Sequence, residues 1–345
     1  MEEEAKKLKE LIESSERILA TSHISPDPDA VSSLLLMGAT LKANYPDKQI
    51  SMVSEEEPLN LDFLDGYSDI KFGSLVKVIE EFKPQLLILL DGNNYERVSR
   101  LDGEKVRQLV AQHGLKTAAI DHHEQDDKDE TDVFINRGSP ATAQTVYEVL
   151  FDDLALRRPE NAAQIAMLGF YADTGGFTYL KPGPQGKLFN FAEQLVTEGA
   201  NVEQTKNQLS KLTEADMHVL SELAANVSHA DNYSYSFLKD EFVQDWVKGG
   251  KSPAELQVGS NLFLDGFIRS IEGRPWGFIT YLNLLQGNDI YSVSFRAISG
   301  VKDVSQLALK LGGGGHKPAA GAKFAASSVD DAISKIKQVI AESSG

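Results

Sequence analysis

The first half of the chain alternates between short apolar runs and longer segments in which apolar residues repeat with the period of a helix. The apolar runs are typical of buried strands, and they lie at residues 18–23, 49–53, Leu86–Leu90 and 116–120. The helical segments lie at residues 4–15, 30–42, 74–82, 104–112, 141–153 and 160–171. Strands that alternate with helices in this way predict a mostly parallel sheet with helices on both faces.

The pattern changes after a segment that is rich in proline and glycine. Residues 180–186 contain two prolines and two glycines, which interrupt regular structure, so we place a hinge near residues 181–212. Helical patterns follow at residues 187–198, 202–210, 214–228, 253–270, 303–311 and 328–342, and strand patterns at residues 233–238, 276–284 and 289–297. This mixture predicts a smaller α+β domain in the second half.

Composition narrows the class of protein. A chain of 345 residues is long enough for two domains, and its net charge of −17 disfavours duplex nucleic acid as a partner. Cysteine is absent, so any metal must be bound by histidine nitrogen or carboxylate oxygen. The N-terminus lacks the pattern of a secretory signal, and Leu86–Leu90 is far shorter than the roughly 20 residues that span a bilayer. We therefore expect a soluble, cytoplasmic protein with no membrane partner.

Side chains that can bind a metal follow the predicted strands. Ligands of open α/β sheets lie beyond the carboxyl ends of the strands, and four separate segments bring acids and histidines towards that edge. These residues are His23, Asp27, Asp29, Asp91, Asp121, His122, His123 and, at the end of a predicted helix, Asp173.

The first of these segments favours a metal site. Pro26 and Pro28 favour extended geometry in the residues before them, and in an extended chain Asp27 and Asp29 point to the same side. Two bare carboxylates at such a distance repel each other unless a cation lies between them. Oxygen and imidazole ligands without sulfur suit Mn²⁺ best, with Mg²⁺ or Co²⁺ as alternatives.

Each candidate also has a purely structural interpretation. Asp27 or Asp29 can cap the helix that begins near Ala30. Asp91, Asp121 and Asp173 can each belong to a turn, and a single histidine is commonly a surface or core residue. The occurrence of such residues in all four segments favours the metal site.

The second half contains four consecutive glycines at residues 312–315. One glycine is enough to end the preceding helix, so Gly313, Gly314 and Gly315 indicate a close approach of the backbone to another group. Consecutive free N–H groups form an anion-binding nest, to which His316 adds a side-chain donor. Arg296 ends a strand pattern and can bind a phosphate through two parallel hydrogen bonds. The alternatives are a flexible linker and an ordinary surface arginine.

The order of these motifs resembles that of the DHH phosphoesterases. The resemblance rests on His23-x-x-x-Asp27-x-Asp29, Asp91, Asp121-His122-His123 and Asp173-Thr-Gly, while residues 312–321 resemble the DHH-associated C-terminal domain of that family. It implies a catalytic metal-binding domain at residues 1–185, a helical linker at 186–228 and a substrate-binding domain at 229–345 across a cleft. The layout is similar to that of the nanoRNase and 3′-phosphoadenosine-5′-phosphate phosphatase subgroup.

The resemblance also implies roles for the candidate residues. His23 and Asp27 would bind one metal ion, Asp29, His122 and Asp173 a second, and Asp91 both. His123 would contact the scissile phosphate or assist the leaving group, and Asp121 would orient the histidines. Arg296, Gly313, Gly314, Gly315 and His316 would hold the phosphate or terminal nucleotide of the substrate.

The implied reaction is the hydrolysis of a phosphate ester by water that two metal ions activate. Residues 124–132 contain six acids and one lysine, which disfavours long polyanions, so we expect short single-stranded oligonucleotides cleaved to 5′-mononucleotides, together with 3′-phosphoadenosine-5′-phosphate. Phe295 and Phe324 are candidates for base stacking, with a place in the core as the alternative. The sequence leaves open whether the chain forms a homodimer.

The same metal site leaves other functions open. Within the enzyme class these are a cyclic-di-AMP or pApA phosphodiesterase, a single-strand exonuclease and an inorganic pyrophosphatase. Outside it, the chain could be a nucleotide-binding regulator or a scaffold. The complete set of metal ligands argues against a regulator.

Overall fold

The computed structural model describes residues 3–58, 60–99, 102–124, 131–179 and 186–343, without the side chains of residues 186 and 187. The chain divides into two units, Met1–Ser210 and Lys211–Gly345. Their boundary lies within residues 186–228, which the sequence predicts as a helical linker. The proline- and glycine-rich part of the predicted hinge and most of the acidic segment after His123 lie outside the described residues.

The first unit is built on a six-stranded parallel sheet with the order β3-β2-β1-β4-β5-β6. Its strands are β1 (Arg17–Ser22), β2 (Gln49–Ser54), β3 (Ile70–Phe72), β4 (Leu86–Leu90), β5 (Lys116–Ile120) and β6 (Val133–Ile135). Every residue of β4 is buried. A parallel strand that is covered on both faces buries all its side chains, which explains its uniformly apolar sequence.

Helices cover both faces of this sheet. They are α1 (Glu3–Ser14), α2 (Pro28–Asn44), α3 (Leu75–Phe82), α4 (Tyr95–Val98), α5 (Gly103–His113), α6 (Thr142–Tyr147), α7 (Ala162–Asp173), α8 (Gly186–Thr197) and α9 (Val202–Leu209). Ile88 of β4 packs in a core with residues of α1, α2, α6 and α7. Its neighbour Leu87 packs in a second core with residues of α3, α4 and α5. Alternate residues of one strand thus enter opposite cores.

The second unit contains a mixed six-stranded sheet with the order β11-β12-β10-β9-β8-β7. Its strands are β7 (Ser228–His229), β8 (Ser234–Phe237), β9 (Trp276–Leu282), β10 (Ile290–Ala297), β11 (Gly314–His316) and β12 (Ala319–Ala325). All neighbours pair antiparallel except β8 and β9.

Five helices accompany this sheet in the described part of the second unit. They are α10 (Glu214–Ala225), α11 (Asp240–Lys248), α12 (Pro253–Phe263), α13 (Ser305–Lys310) and α14 (Val329–Glu342). Ile279 of β9 packs with residues of α10, α11 and α12, and Phe295 of β10 packs with residues of α13 and α14. The parallel sheet and this second α+β unit confirm the predicted fold class.

Some elements differ from the sequence predictions. The helix predicted over residues 141–153 changes after α6 into a π turn (Glu148–Asp153), and the one predicted over residues 253–270 changes after α12 into a second π turn (Leu264–Ile268). Strands β3 and β6 were not predicted, because strands of three residues are too short to show a period. Within the described ranges, no helix combines the length and hydropathy that a bilayer crossing requires.

The glycine run also differs from the anion nest that the sequence predicts. The N–H groups of Gly312 and Gly313 bond to carbonyl oxygens of Leu309 and Ala308 at 3.0 and 2.8 Å, so they are not free donors. Gly314–His316 then forms strand β11 against β12. A Cβ atom at Gly313 would lie 2.1 Å from the carbonyl oxygen of Gly321. The close approach that this glycine permits is therefore to the chain itself.

Candidate metal centre

The metal-ligand candidates of the first unit gather at the carboxyl ends of three neighbouring strands. His23 follows β1, Asp91 follows β4, and Asp121 follows β5. These strands are adjacent in the sheet, so the residues after them meet at one edge. Helix α2 begins beside them, and Asp173 is the last residue of α7.

The candidates form three overlapping groups in which the ligand atoms lie within 4.8 Å of one another. Asp91 belongs to two of the groups, and His122 also belongs to two. The groups are His23, Asp27 and Asp91; Asp29, His122 and Asp173; and Asp91, Asp121, His122 and His123. All eight residues predicted from the sequence are therefore brought together.

The distances between ligand atoms suit shared ions. The Nε2 atom of His23 lies 3.4 Å from Oδ2 of Asp91 and 3.8 Å from Oδ2 of Asp27. The Nε2 atom of His122 lies 3.4 Å from Oδ2 of Asp173 and 3.6 Å from Oδ1 of Asp91. Two ligands about 2.1 Å from one ion, at right angles or wider, lie roughly 3.0–4.2 Å apart. The two carboxylate oxygens of Asp91 thus face two different histidines.

Asp27 and Asp29 do not lie together in the extended segment that the sequence predicts. Pro28 is the first residue of α2, so Asp29 lies in the first helical turn and not in an extended segment. Asp27 is the N-cap, and its Oδ1 accepts hydrogen bonds from the N–H groups of Asp29 and Ala30, both at 3.0 Å. Its Oδ2 faces His23. The capping role and the candidate ligand role therefore occur in the same side chain, through different oxygens.

The carboxylate of Asp29 is fully buried and held by the backbone of α6. Its Oδ2 accepts a hydrogen bond from the N–H of Thr142 at 2.6 Å, and its Oδ1 accepts one from the N–H of Ala143 at 2.9 Å. Gly169 of α7 makes room for it, because a Cβ atom there would lie 2.8 Å from Oδ1 of Asp29. The position of this carboxylate is set by three helices.

The hydroxyl group of Thr142 links two strand ends. It donates to Oδ1 of Asp91 at 2.8 Å and accepts from the N–H of His122 at 3.2 Å. Asp91 has a φ of 57°, in the left-handed region that Asp and Asn adopt more readily than other residues with a side chain. Its backbone and one of its oxygens are thus both constrained.

His123 is oriented by the buried carboxylate of Asp121. Oδ1 of Asp121 lies 2.8 Å from Nδ1 of His123 and also accepts the N–H of His123 at 3.1 Å. Oδ2 of Asp121 accepts a hydrogen bond from Nδ2 of Asn93 at 2.8 Å. The side chain of His123 is 42% exposed. Nδ1 of His123 therefore faces the buried carboxylate of Asp121.

The charges at the centre are not balanced by the protein alone. Burial raises the pKa of Asp29 well above its usual value, and the charges of Asp91 and Asp173 raise it further. Burial, together with the charges of Asp27 and Asp91, raises the pKa of Asp173 to about 7. Carboxylates that share a site in this way hold protons unless a cation replaces them.

The histidines respond differently to their surroundings. Burial acts to lower the pKa of His23, but hydrogen bonds to Asp27 and Asp91 raise it to about 10. Burial lowers the pKa of His122, which favours the neutral form that binds metals. The hydrogen bond to Asp121 raises the pKa of His123. Oxygen and imidazole ligands with excess negative charge fit divalent ions, so the residues present suit the metal that the sequence implies.

The candidates of the second unit lie on and beside one end of its sheet. Arg296 is on β10, paired with Ala319 of β12, and His316 of β11 is paired with the same alanine. Gly314 and Gly315 are on β11, and Gly313 precedes it. His316 is exposed, and the guanidinium of Arg296 is bonded to Asp265.

Three residues of these two sites were missed from the sequence: Thr142, Asn93 and Asp265. Thr142 opens a helix without a polar side-chain cap at the residue before it, so it carries no local signal. Asn93 follows Asp91 by two residues and could have been considered for that reason alone. Asp265 lies in a segment that the sequence presents as plain helix.

Family models match both units. The DHH family, N-terminal domain, matches residues 17–170, and the DHHA1 domain matches residues 264–342. The parallel sheet and the ligand cluster, apart from Asp173, lie in the first of these regions, and β9 to β12 lie in the second. The fold and the site define a hydrolase of phosphate esters. The chain therefore contains a DHH family N-terminal domain followed by a DHHA1 domain.

Relatives with assigned names match most of the chain. It is similar to the bifunctional oligoribonuclease and PAP phosphatase NrnA of Bacillus subtilis (strain 168), with 26% identity over 311 residues, covering 89% of each chain. The protein of the same name from Mycoplasma pneumoniae is 26% identical over 315 residues, covering 90% of this chain and 88% of the relative. That from Thermus thermophilus is 26% identical over 329 residues, covering 94% and 89%.

Solved structures share the fold. An exopolyphosphatase-related protein from Bacteroides fragilis superimposes with a TM-score of 0.77 and 20% identity, covering 98% of this chain and 96% of the other. The exonuclease RecJ bound to manganese superimposes with a TM-score of 0.50 and 16% identity, covering 98% and 92%. At these identities the likeness concerns the fold.

Proposed function

We propose that the protein hydrolyses short single-stranded oligonucleotides to 5′-mononucleotides, and that it also hydrolyses 3′-phosphoadenosine-5′-phosphate. Both reactions use two divalent metal ions, and Mn²⁺ fits the ligands best. The observation that carries the proposal is Asp91. Its two carboxylate oxygens face His23 on one side and His122 on the other, at 3.4 and 3.6 Å. A carboxylate in this position can bridge two ions. The relatives named as oligoribonuclease and PAP phosphatase support the choice of substrate.

The ligands divide into two sets around that bridge. His23 and Asp27 would hold one ion, Asp29, His122 and Asp173 would hold the other, and Asp91 would contribute to both. The two sets follow two of the groups in which the ligand atoms lie within 4.8 Å of one another, and Asp91 is connected to the second set through His122, at 3.6 Å. When bound, such ions lower the pKa of water and stabilise the negative charge of the reacting phosphate.

His123 of the first unit and the candidates of the second unit act on the substrate through hydrogen bonds. The hydrogen bond between Nδ1 of His123 and Asp121 fixes the imidazole ring and directs Nε2 away from that carboxylate. Nε2 then contacts the scissile phosphate or donates a proton to the leaving oxygen. On the second unit, Arg296, Gly314, Gly315 and His316 bind the phosphate or terminal nucleotide of the substrate, whereas the N–H of Gly313 is already bonded to Ala308. The net charge of −17 favours short substrates over long polyanions.

The test is a substrate panel with the purified full chain. It contains dinucleotides to pentanucleotides, 3′-phosphoadenosine-5′-phosphate, cyclic-di-AMP, pApA, pyrophosphate and long single-stranded DNA, each with Mn²⁺, Mg²⁺, Co²⁺ or EDTA. We expect metal-dependent release of mononucleotides from the short oligonucleotides and of phosphate from the bisphosphate. Preferred turnover of long DNA, cyclic-di-AMP or pyrophosphate would contradict the proposal.

The decisive variant is Asp91→Asn, because asparagine tolerates the positive φ of 57° at this position. It should keep the fold and abolish the metal-dependent activity. Asp47→Asn removes an exposed carboxylate of the same unit and should leave activity unchanged. Full turnover by the Asp91→Asn variant would show that the bridging role is wrong.

A further inference from the structure

One residue of the second unit has no role in the proposed function although it contacts a residue that does. Arg296 is held by Asp265, whose Oδ1 accepts a hydrogen bond from Nε of Arg296 at 2.8 Å. The role of this contact rests on the proposed role of Arg296 in substrate binding.

The sheet register places Arg296 in a row with His316. Arg296 pairs with Ala319, and Ala319 pairs with His316. Residues that pair directly across antiparallel strands point to the same face. Two rows along, Ser294, Gly321 and Gly314 are paired in the same way. This face therefore carries a guanidinium and an imidazole with only small side chains between them, while the opposite face is filled by core residues such as Phe295 and Ala320.

The guanidinium of Arg296 is fixed but not saturated. Its side chain is 19% exposed, and Nη1 donates to the carbonyl oxygen of Phe295 at 3.1 Å in addition to the bond from Nε to Asp265. An arginine has five N–H donors. Two are used by acceptors among the described residues, so three N–H groups are left for a ligand. A phosphate is the ligand that such a planar edge recognises best.

Asp265 reaches Arg296 because of the π turn Leu264–Ile268. Leu264 and Ile268 are fully buried and anchor the turn, while Asp265 between them is 44% exposed. Gly277, which pairs with Arg296, lets the turn approach the sheet, since a Cβ atom there would lie 2.9 Å from Cγ1 of Ile268. π turns interrupt helices frequently at functional sites. The turn thus delivers a carboxylate to Nε of the guanidinium.

We propose that Asp265 is a positioning residue: it orients the guanidinium of Arg296 so that its free N–H groups face a phosphate group of the nucleotide substrate bound over the row of Arg296, Ala319 and His316. The side chain of Asp265 is 44% exposed, so water screens the ion pair and its contribution to stability is small. The effect of Asp265 that we expect to measure is therefore on ligand binding. It acts only through Arg296.

The experiment is a double-mutant cycle with Asp265→Ala, Arg296→Ala and the double variant. KM and kcat are measured for a dinucleotide and for 3′-phosphoadenosine-5′-phosphate. We expect D265A to raise KM roughly tenfold with little change in kcat, as for the loss of a hydrogen bond to a charged group. The double variant should be no worse than R296A. Asp265→Asn keeps an oxygen acceptor and should recover most of the affinity.

The controls separate this role from a structural one. Asp245→Ala removes an exposed carboxylate of α11 in the same unit and should leave KM unchanged. Melting temperatures of all variants should agree within a few degrees. If D265A is equally harmful with and without Arg296, or lowers the melting temperature while KM stays the same, the proposal is wrong.

A binding measurement keeps the test independent of turnover. The Kd of 3′-phosphoadenosine-5′-phosphate is measured for the same cycle in the Asp91→Asn background with Mn²⁺. If the wild-type chain cleaves nothing in the panel, the proposed function is wrong. The proposal for Asp265 is tested separately, because it requires that the effects of D265A and R296A on Kd are not additive. Absence of binding, or an additive cycle, overturns it.

Discussion

The replacement Gly169→Ala should weaken metal binding while leaving the fold nearly as stable as before. Gly169 lies in α7, where it faces α2 and α6. A Cβ atom at this position would lie 2.8 Å from Oδ1 of Asp29, 2.9 Å from Cβ of Ala143 and 3.0 Å from Cβ of Ser32. Non-bonded heavy atoms settle at about 3.5–4.0 Å, so the neighbours must give way by more than about half an ångström.

The carboxylate of Asp29 cannot give way without consequence. It is held by the N–H groups of Thr142 and Ala143 at 2.6 and 2.9 Å, and a shift of this size breaks or lengthens these bonds. Metal sites tolerate deviations of about 0.2 Å in ligand distance. The expected displacement exceeds that tolerance, so we expect the affinity for Mn²⁺ to fall at least about tenfold, in the range seen when supporting groups of a metal site are removed.

The effect on stability should be smaller, because two contributions oppose each other. Alanine favours a helix interior over glycine by about 1 kcal/mol, while overpacking destabilises by about 1–3 kcal/mol. The net change is therefore about 2 kcal/mol or less, and the melting temperature should shift by only a few degrees.

The assay is isothermal titration of Mn²⁺ into the EDTA-stripped full chain, with a thermal melt of the same samples. Gly38→Ala is the matched control: a Cβ atom there would lie 2.2 Å from Sδ of Met52 in the core of the same unit. It should lower the melting temperature without changing the Mn²⁺ affinity. If Gly169→Ala binds Mn²⁺ with the affinity and stoichiometry of the wild type, Asp29 is not a ligand or its placement is not critical.

Two further predictions concern the same centre. Thr142→Val removes the hydroxyl that joins Asp91 to His122, and it should lower the Mn²⁺ affinity about 10- to 100-fold. Thr40→Val is the control, because its buried hydroxyl has no partner among the described residues, and it should leave the affinity unchanged. Equal Mn²⁺ affinities of the two variants in a titration would contradict this prediction. In the metal-free protein, Asp173 has its pKa raised to about 7, so the folded chain holds a proton that the unfolded chain loses near pH 4. The stability that this proton contributes is present below about pH 4 and is lost as the pH rises through 7. The melting temperature of the metal-free protein should therefore fall between pH 5 and 8, and it should fall less with saturating Mn²⁺. A rise of the melting temperature over that range without metal would refute the raised pKa of Asp173.

Local patterns were enough to predict the parallel sheet and the residues at its edge. The uniformly apolar Leu86–Leu90 and the helical repeats around it identify buried strands and covering helices, because side-chain periodicity reflects burial directly. Parallel strands connected by helices place their carboxyl ends together, so His23, Asp91 and Asp121 could be assigned to one site without any knowledge of distances.

The tertiary structure decided how those residues are held. Thr142 bonds to Asp29 over a separation of 113 residues and to Asp91 over 51, and Asp265 bonds to Arg296 over 31. The sequence left open whether Asp27 or Asp29 caps α2, and it could not show that two N–H groups of the glycine run are taken by the helix before it. A period in the sequence reports which face of an element is buried. Which distant partner meets that face depends on how helices and strands pack and pair, and only the folded chain determines that.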